Sequence, residues 1–428
     1  MTLQEFQKNN PTKEDKEEAT RHMSDEEIDG LIAQAGIVQA KIAYSRLKKR
    51  NQISRYNKKY NDLTTRVLNY FLSSDPGNIV FSPFSVLMLL SIAADAVNGN
   101  TRQEILNVIG SDLEYESHRN MISEIQRLFT EIVTIVDGKE SYTKGGEVVS
   151  ANAVCVREDI KNTINAKFEK TIEKYHGELF SSKNIVDEVN NWVKEKTKGM
   201  IVKAADESMN QMVLCLMNAI AFEAEWAEIY EEDDVYEDDF TDADGNTHEV
   251  QMMNSTEYSY IENDLFTGFV KPYKDFEFSY MALLPKKKGK KAINKAVEAI
   301  NLTEVFHSAE SRKVYVTMPE FKYDFDRDLK DVCRKMGIET MFTPQADFSP
   351  MSQEWLMMDA IIHKAYIEVD RKGTKAAAVS MGIVVCGCAP QPEEFKEVRL
   401  DRPFIYAIMH NQTGLPVFAG VTNYIESE

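Results

Sequence analysis

The stretch that decides how this chain is read is Gly373-Thr374-Lys375-Ala376-Ala377-Ala378-Val379-Ser380-Met381-Gly382-Ile383-Val384-Val385. It follows the strand-like run Ala365-Tyr366-Ile367-Glu368-Val369 and leads into Cys386-Gly387-Cys388-Ala389-Pro390-Gln391-Pro392. It is too small and apolar for an ordinary surface loop, which is usually polar. It is too rich in alanine and glycine for an ordinary buried strand, where larger branched side chains are favoured. Strand alternation sorts it into two faces. Thr374, Ala376, Ala378, Ser380 and Gly382 lie on one, all of them small. Lys375, Ala377, Val379, Met381 and Ile383 lie on the other. No proline occurs from Gly373 to Ala389, so nothing forbids ladder hydrogen bonds along that length. A segment with one uniformly small face can slide into a gap in an existing sheet, and the pattern suits two resting places.

Composition narrows the classes. The chain has 428 residues, of which 43% are hydrophobic and 28% charged, ample for a large core of ordinary surface. Its net charge of −19 argues against non-specific nucleic-acid binding and for solubility. No run of about 18 apolar residues predicts a membrane span. The start, Met1-Thr2-Leu3-Gln4-Glu5-Phe6-Gln7-Lys8, has no apolar signal core. The five cysteines, Cys155, Cys215, Cys333, Cys386 and Cys388, are too sparse and odd in number for a disulfide framework.

Residues 1–56 read as a charged, largely helical extension, with Ser24 and Glu27 forming a capping box. One domain is expected over 57–428, because no Gly/Ser linker or internal repeat divides it. Within it, Asn78-Ile79-Val80-Phe81-Ser82-Pro83 reads as a short strand entering a helix at 85–96 that is apolar on nearly every side. Ser82, Ser85 and Ser91 are then buried hydroxyls in need of partners. Residues 114–136 read as one amphipathic helix. From Val148 onward strands and helices alternate, with a long apolar strand at 212–222 and an antiparallel meander at 258–284, giving an α+β domain.

The chemistry of catalysis is missing. There is no G-x-S-x-G, Walker loop, H-E-x-x-H or paired C-x-x-C. The seven histidines, His22, His118, His176, His248, His307, His363 and His410, have no ligand-like spacing. The reading is a protein that is not an enzyme, with no metal and no cofactor.

Several motifs in order give the chain a family resemblance. Asn78-Ile79-Val80-Phe81-Ser82-Pro83-Phe84-Ser85, Asn218-Ala219-Ile220-Ala221-Phe222 through Trp226, His363-Lys364-Ala365, the hinge Gly373-Thr374-Lys375-Ala376-Ala377-Ala378-Val379-Ser380, Arg402-Pro403-Phe404 and Pro416-Val417-Phe418-Ala419-Gly420 resemble those of the serpins, the serine-protease-inhibitor superfamily. The resemblance covers about residues 57–428. It implies about nine helices around three β-sheets, with an exposed, insertable reactive-centre loop near 371–398. It implies a metastable inhibitor that is cleaved by a target serine protease, with a cysteine protease as second option. It implies that the acyl-enzyme is trapped by insertion of the cleaved loop into the central sheet. It makes Ser82, Ser85, Asn218 and His363 the polar shutter beneath that sheet, and Trp226 the aromatic where insertion begins. A monomer, extracellular or at the cell surface, is the expectation by resemblance, with an intracellular location the alternative.

Two departures from the family pattern stand out. Arg371-Lys372 stand where acids are common, and Lys375 stands where Glu is usual. The usual loop length puts the scissile bond at Gly387-Cys388, within a window from Cys386 to Ala389. Val384-Val385-Cys386-Gly387 offers no basic or aromatic anchor, which points to elastase-like or subtilisin-like proteases. The alternatives are a non-inhibitory serpin acting as carrier, chaperone or interaction protein, and redox control through Cys386 and Cys388.

Overall fold

The computed structural model describes residues 38–74, 77–110, 115–136, 139–144, 148–274, 276–298, 300–374 and 395–426. The chain forms two units, one of residues 1–58 and 131–145, the other of 59–130 and 146–428. In the first, Glu131–Val136 and Lys139–Lys144 pair as an antiparallel ribbon. This corrects the single helix expected over 114–136: the helix is Tyr115–Thr130, and the chain then turns to strand. The physical reason is local, since Ile132-Val133-Thr134-Ile135-Val136 is an unbroken β-branched run that loses side-chain freedom in a helix and packs well on a pleat.

The second unit is built from two large sheets with a buried helix between them. That helix, Pro83–Ala96, has all fourteen residues buried and packs on both Leu214–Phe222 and Leu415–Thr422. Ser82 caps it, its Oγ accepting from the Ser85 amide at 3.1 Å, and Pro83 fills the first turn where no donor is needed. The nine-stranded sheet runs Ile79–Phe81, Leu415–Thr422, Phe404–His410, Phe278–Pro285, Phe266–Pro272, Thr247–Glu262, Glu310–Pro319, Lys396–Arg399, with Val235–Thr241 paired to Thr247–Glu262. With the ribbon, the described residues hold three sheets and nine α-helices.

The seven-stranded sheet holds the start of the segment that the sequence reading singles out. Its order is Gly177–Phe180, Val148–Val156, Leu214–Phe222, Ala360–Val369, with Phe321–Asp328 beyond Ala360–Val369. Leu214–Phe222 is antiparallel to Val148–Val156, and parallel to Ala360–Val369 over a seam from Cys215↔Ala360 to Ala221↔Tyr366. Above the seam the two strands separate. Between Ala224–Glu225 and Val369 lies a two-residue strand, Gly373–Thr374.

Candidate functional site

The site is the mouth of this seam. Asp370 turns the chain back: its Oδ1 accepts from the Lys372 and Gly373 amides at 2.7 and 3.0 Å, and its own amide donates to Gly373 O at 2.9 Å. Gly373 and Thr374 then run antiparallel to both neighbours, in register Thr374↔Val369 and Thr374↔Ala224. Position 373 must be glycine for reasons of space, because a Cβ there would lie 2.1 Å from Ala224 O. Thr374 is fully buried, and its Oγ1 sits 2.6 Å from the Tyr273 hydroxyl. The hydroxyl-bearing face of the segment is therefore the core-facing one.

Trp226 closes the mouth from the side. Its indole stacks on Tyr273 with ring centroids 4.5 Å apart, its Nε1 donates to Asp370 O, and its amide donates to Lys372 O, both at 2.9 Å. Tyr230 holds the next carbonyl, its amide donating to Arg371 O at 2.9 Å. Behind them Lys271, 2% exposed, pairs with Glu257 at 2.8 Å and lies over the rings of Trp226 and Tyr230. The departure at Arg371 has a counterpart: its amide and Nε both donate to Glu320 at 3.2 Å. That pair is partly exposed, so it fixes geometry more than stability.

Ser82, Ser85, Asn218 and His363 lie below the seam, all fully buried. His363 and Asn218 are register partners across it. His363 Nε2 accepts from the Ser82 amide at 3.1 Å, which ties Ala360–Val369 to the cap of the core helix. Asn218 Nδ2 donates to Asn152 Oδ1 at 2.9 Å and to Ser150 Oγ at 3.1 Å. Asn152 in turn donates to Tyr175 O, and the Tyr175 hydroxyl donates to Asp95 on the core helix at 2.8 Å. His363 Nδ1, Asn218 Oδ1 and Ser85 Oγ have no hydrogen-bond partner among the described residues. Burial pushes the His363 imidazole down to about 3, so it is neutral at physiological pH. Ser91 is not part of the cluster; it bonds back to Leu87 O within its own helix.

Lys375, Ala376, Ala377, Ala378, Val379 and Ser380 of the hinge, and Cys386, Gly387, Cys388 and Ala389 of the cleavage window, lie outside the described residues. The sequence alone did not single out Tyr273, Lys271, Glu257, Glu320, Asn152 or Tyr175. Each acts through a partner distant in the chain, and only a lysine inside the apolar run of 266–272 hinted at one of them.

Comparison with known proteins decides the family. The family model for serpins (serine protease inhibitors) matches residues 58–424. The chain belongs to the serpin family. Among curated relatives, Iripin-1 of Ixodes ricinus is 28% identical over 378 residues, covering 85% of this chain and 93% of that protein. Leukocyte elastase inhibitor A of Mus musculus is 29% identical over 370 residues, covering 81% and 93%. Among solved structures, the thermophilic serpin tengpin in its native state superposes with a TM-score of 0.74 at 31% identity, covering 86% of this chain and 94% of that one. The same protein in its latent state superposes with a TM-score of 0.67. Serpins are mostly protease inhibitors with target proteases as partners, though some, such as thyroxine-binding globulin, are not inhibitory. The family has extracellular and intracellular members, and no helix among the described residues is long and apolar enough to cross a membrane.

Proposed function

We propose that this serpin is a suicide-substrate inhibitor of serine proteases that traps the acyl-enzyme by taking its own cleaved loop into the seam between Leu214–Phe222 and Ala360–Val369. The observation that carries this is the seated hinge: Gly373 and Thr374 already occupy the mouth of the seam, antiparallel to both walls. Continuing that register gives every following residue an address. Ala376 would fall between Phe222 and Ile367, Ala378 between Ile220 and Ala365, and Ser380 between Asn218 and His363. Ser380 would thus bring a hydroxyl to the two strands whose Oδ1 and Nδ1 lack partners. Lys375 would fall on the opposite face, away from the core. Insertion would replace one parallel interface by two antiparallel ones, which are the more stable pairing per residue.

The chemistry begins on the protease. Its serine Oγ attacks the Gly387 carbonyl carbon, the peptide bond to Cys388 breaks, and the new amine of Cys388 leaves with a proton. The hinge side is then tethered only to the acylated enzyme and free to enter the sheet. It carries the protease with it and strains the active site before water can complete hydrolysis. Small residues before the cleavage point favour elastase-like or subtilisin-like targets. Incubation with pancreatic elastase, subtilisin and trypsin in turn, followed by denaturing electrophoresis, tests this. The expected result is an SDS-stable complex with elastase or subtilisin; a complex with trypsin alone contradicts the target class. Clean cleavage by all three, with no complex, favours a non-inhibitory serpin.

A further inference from the structure

Two cysteines unused by this mechanism face each other across the sheet. Cys155 on Val148–Val156 and Cys215 on Leu214–Phe222 are direct antiparallel register partners. Both are free thiols, 3% and 1% exposed. Both pack into one apolar cluster with Ala153, Met217, Val189 and Val193, so they project from the same face of the sheet. Directly opposed residues of an antiparallel pair have Cα atoms about 4.5–5.5 Å apart, inside the window of roughly 4.4–6.8 Å that a disulfide spans. The third described cysteine, Cys333, lies on the helix Lys330–Lys335 and has no such partner in register.

We propose that Cys155 and Cys215 form a cross-strand disulfide when the chain folds in the presence of a small-molecule disulfide such as oxidised glutathione. In that exchange one thiolate attacks glutathione disulfide and releases one glutathione. The second thiolate then attacks the mixed disulfide and releases the other, so two protein thiols are oxidised and one disulfide is reduced to two thiols. Burial holds the Cys155 thiol up at about 12 and raises that of Cys215 well above its ordinary value, which leaves almost no thiolate in the folded sheet. The bond therefore forms during folding, while the strands are still open, and not by later oxidation of the folded protein. Its place in the sheet sets its effect. It welds Leu214–Phe222 to the strand on its outer side, whereas the seam that admits the hinge lies on the inner side, against Ala360–Val369. The staple stabilises the sheet without closing the seam.

The experiment refolds the full chain, carrying Cys386→Ser and Cys388→Ser to remove competing loop thiols, in a reduced/oxidised glutathione buffer and in reductant alone. The expected product in the first buffer is lighter by two hydrogens and yields a Cys155–Cys215 linked peptide. It melts on the order of 5 °C above the reduced form, because the link closes a loop of roughly sixty residues. Cys155→Ser should abolish both the link and the shift. Three alkylatable thiols after oxidative refolding, a link to Cys333, or a linked product that melts no higher than the reduced form would each overturn the proposal. None of these readouts involves a protease, so failure here leaves the inhibitory reading standing, and the reverse.

Discussion

His363 is where the polar part of the seam can be tested at a single residue. Buried beneath the sheet it accepts a hydrogen bond through Nε2 and stays neutral, its pKa lowered from 6.5 to about 3. The unfolded chain takes up a proton near pH 6.5 and the folded one does not, so the native state binds fewer protons between those values. Stability is then complete above pH 6.5 and falls as pH drops towards 3. Between pH 7 and pH 5 His363 alone should cost about 2 kcal/mol. His118 and His410, lowered to about 4 and about 3 by burial, act in the same direction. Urea unfolding at the two pH values measures the sum, and His363→Gln should flatten its own share. An equal acid loss in that variant would show that the imidazole is not the titrating group. The residues of this cluster were legible in the sequence because Ser82, Ser85, Asn218 and His363 sit in short recurring motifs. Asn152 and Tyr175 were not, because their roles rest on the register of Val148–Val156 against Leu214–Phe222, which no local pattern encodes.

At the scale of elements, the proposed mechanism makes the hinge and the two seam strands one device. The alternation read from sequence puts Thr374 on the small face, and its burial against Tyr273 makes that the core-facing side. A charged side chain there would have to enter the core unpaired. Ala376→Arg, two residues further along the same face and the first small residue that insertion would newly bury, is therefore expected to be cleaved by elastase as readily as the parent but to raise the inhibitor consumed per trapped enzyme by about tenfold or more, since burying the charge costs several kcal/mol. Quantitative titration of residual protease activity measures this, and unchanged trapping would refute the insertion path. Element types were legible where periodicity was strong, as in the core helix Pro83–Ala96 and the strand Leu214–Phe222. The helix expected over 114–136 failed at Thr130, where an amphipathic pattern continues into β-branched residues and side-chain shape overrides period. Arg371 looked like a mismatch with its family; Glu320, 51 residues away in the chain, answers it.

At the scale of the whole molecule, the proposed mechanism links two states of one sheet. The sheet pairs its seam in parallel with Gly373–Thr374 at the mouth, and on the proposed mechanism the arrangement with the hinge as a further central strand is still to be reached. The fold class and the family could be read from motifs spread along the chain, because each records a packing requirement of the same two-sheet core. The state of the sheet could not, since both states share one sequence. Cutting the loop with a metalloprotease separates insertion from trapping, because such an enzyme forms no acyl intermediate and leaves once the bond is broken. Thermal unfolding of the chain nicked on the C-terminal side of Ser380, compared with the intact chain, is the direct measurement. A large rise in melting temperature on nicking is the predicted result, and a nicked protein that melts with or below the intact one would contradict insertion into the seam.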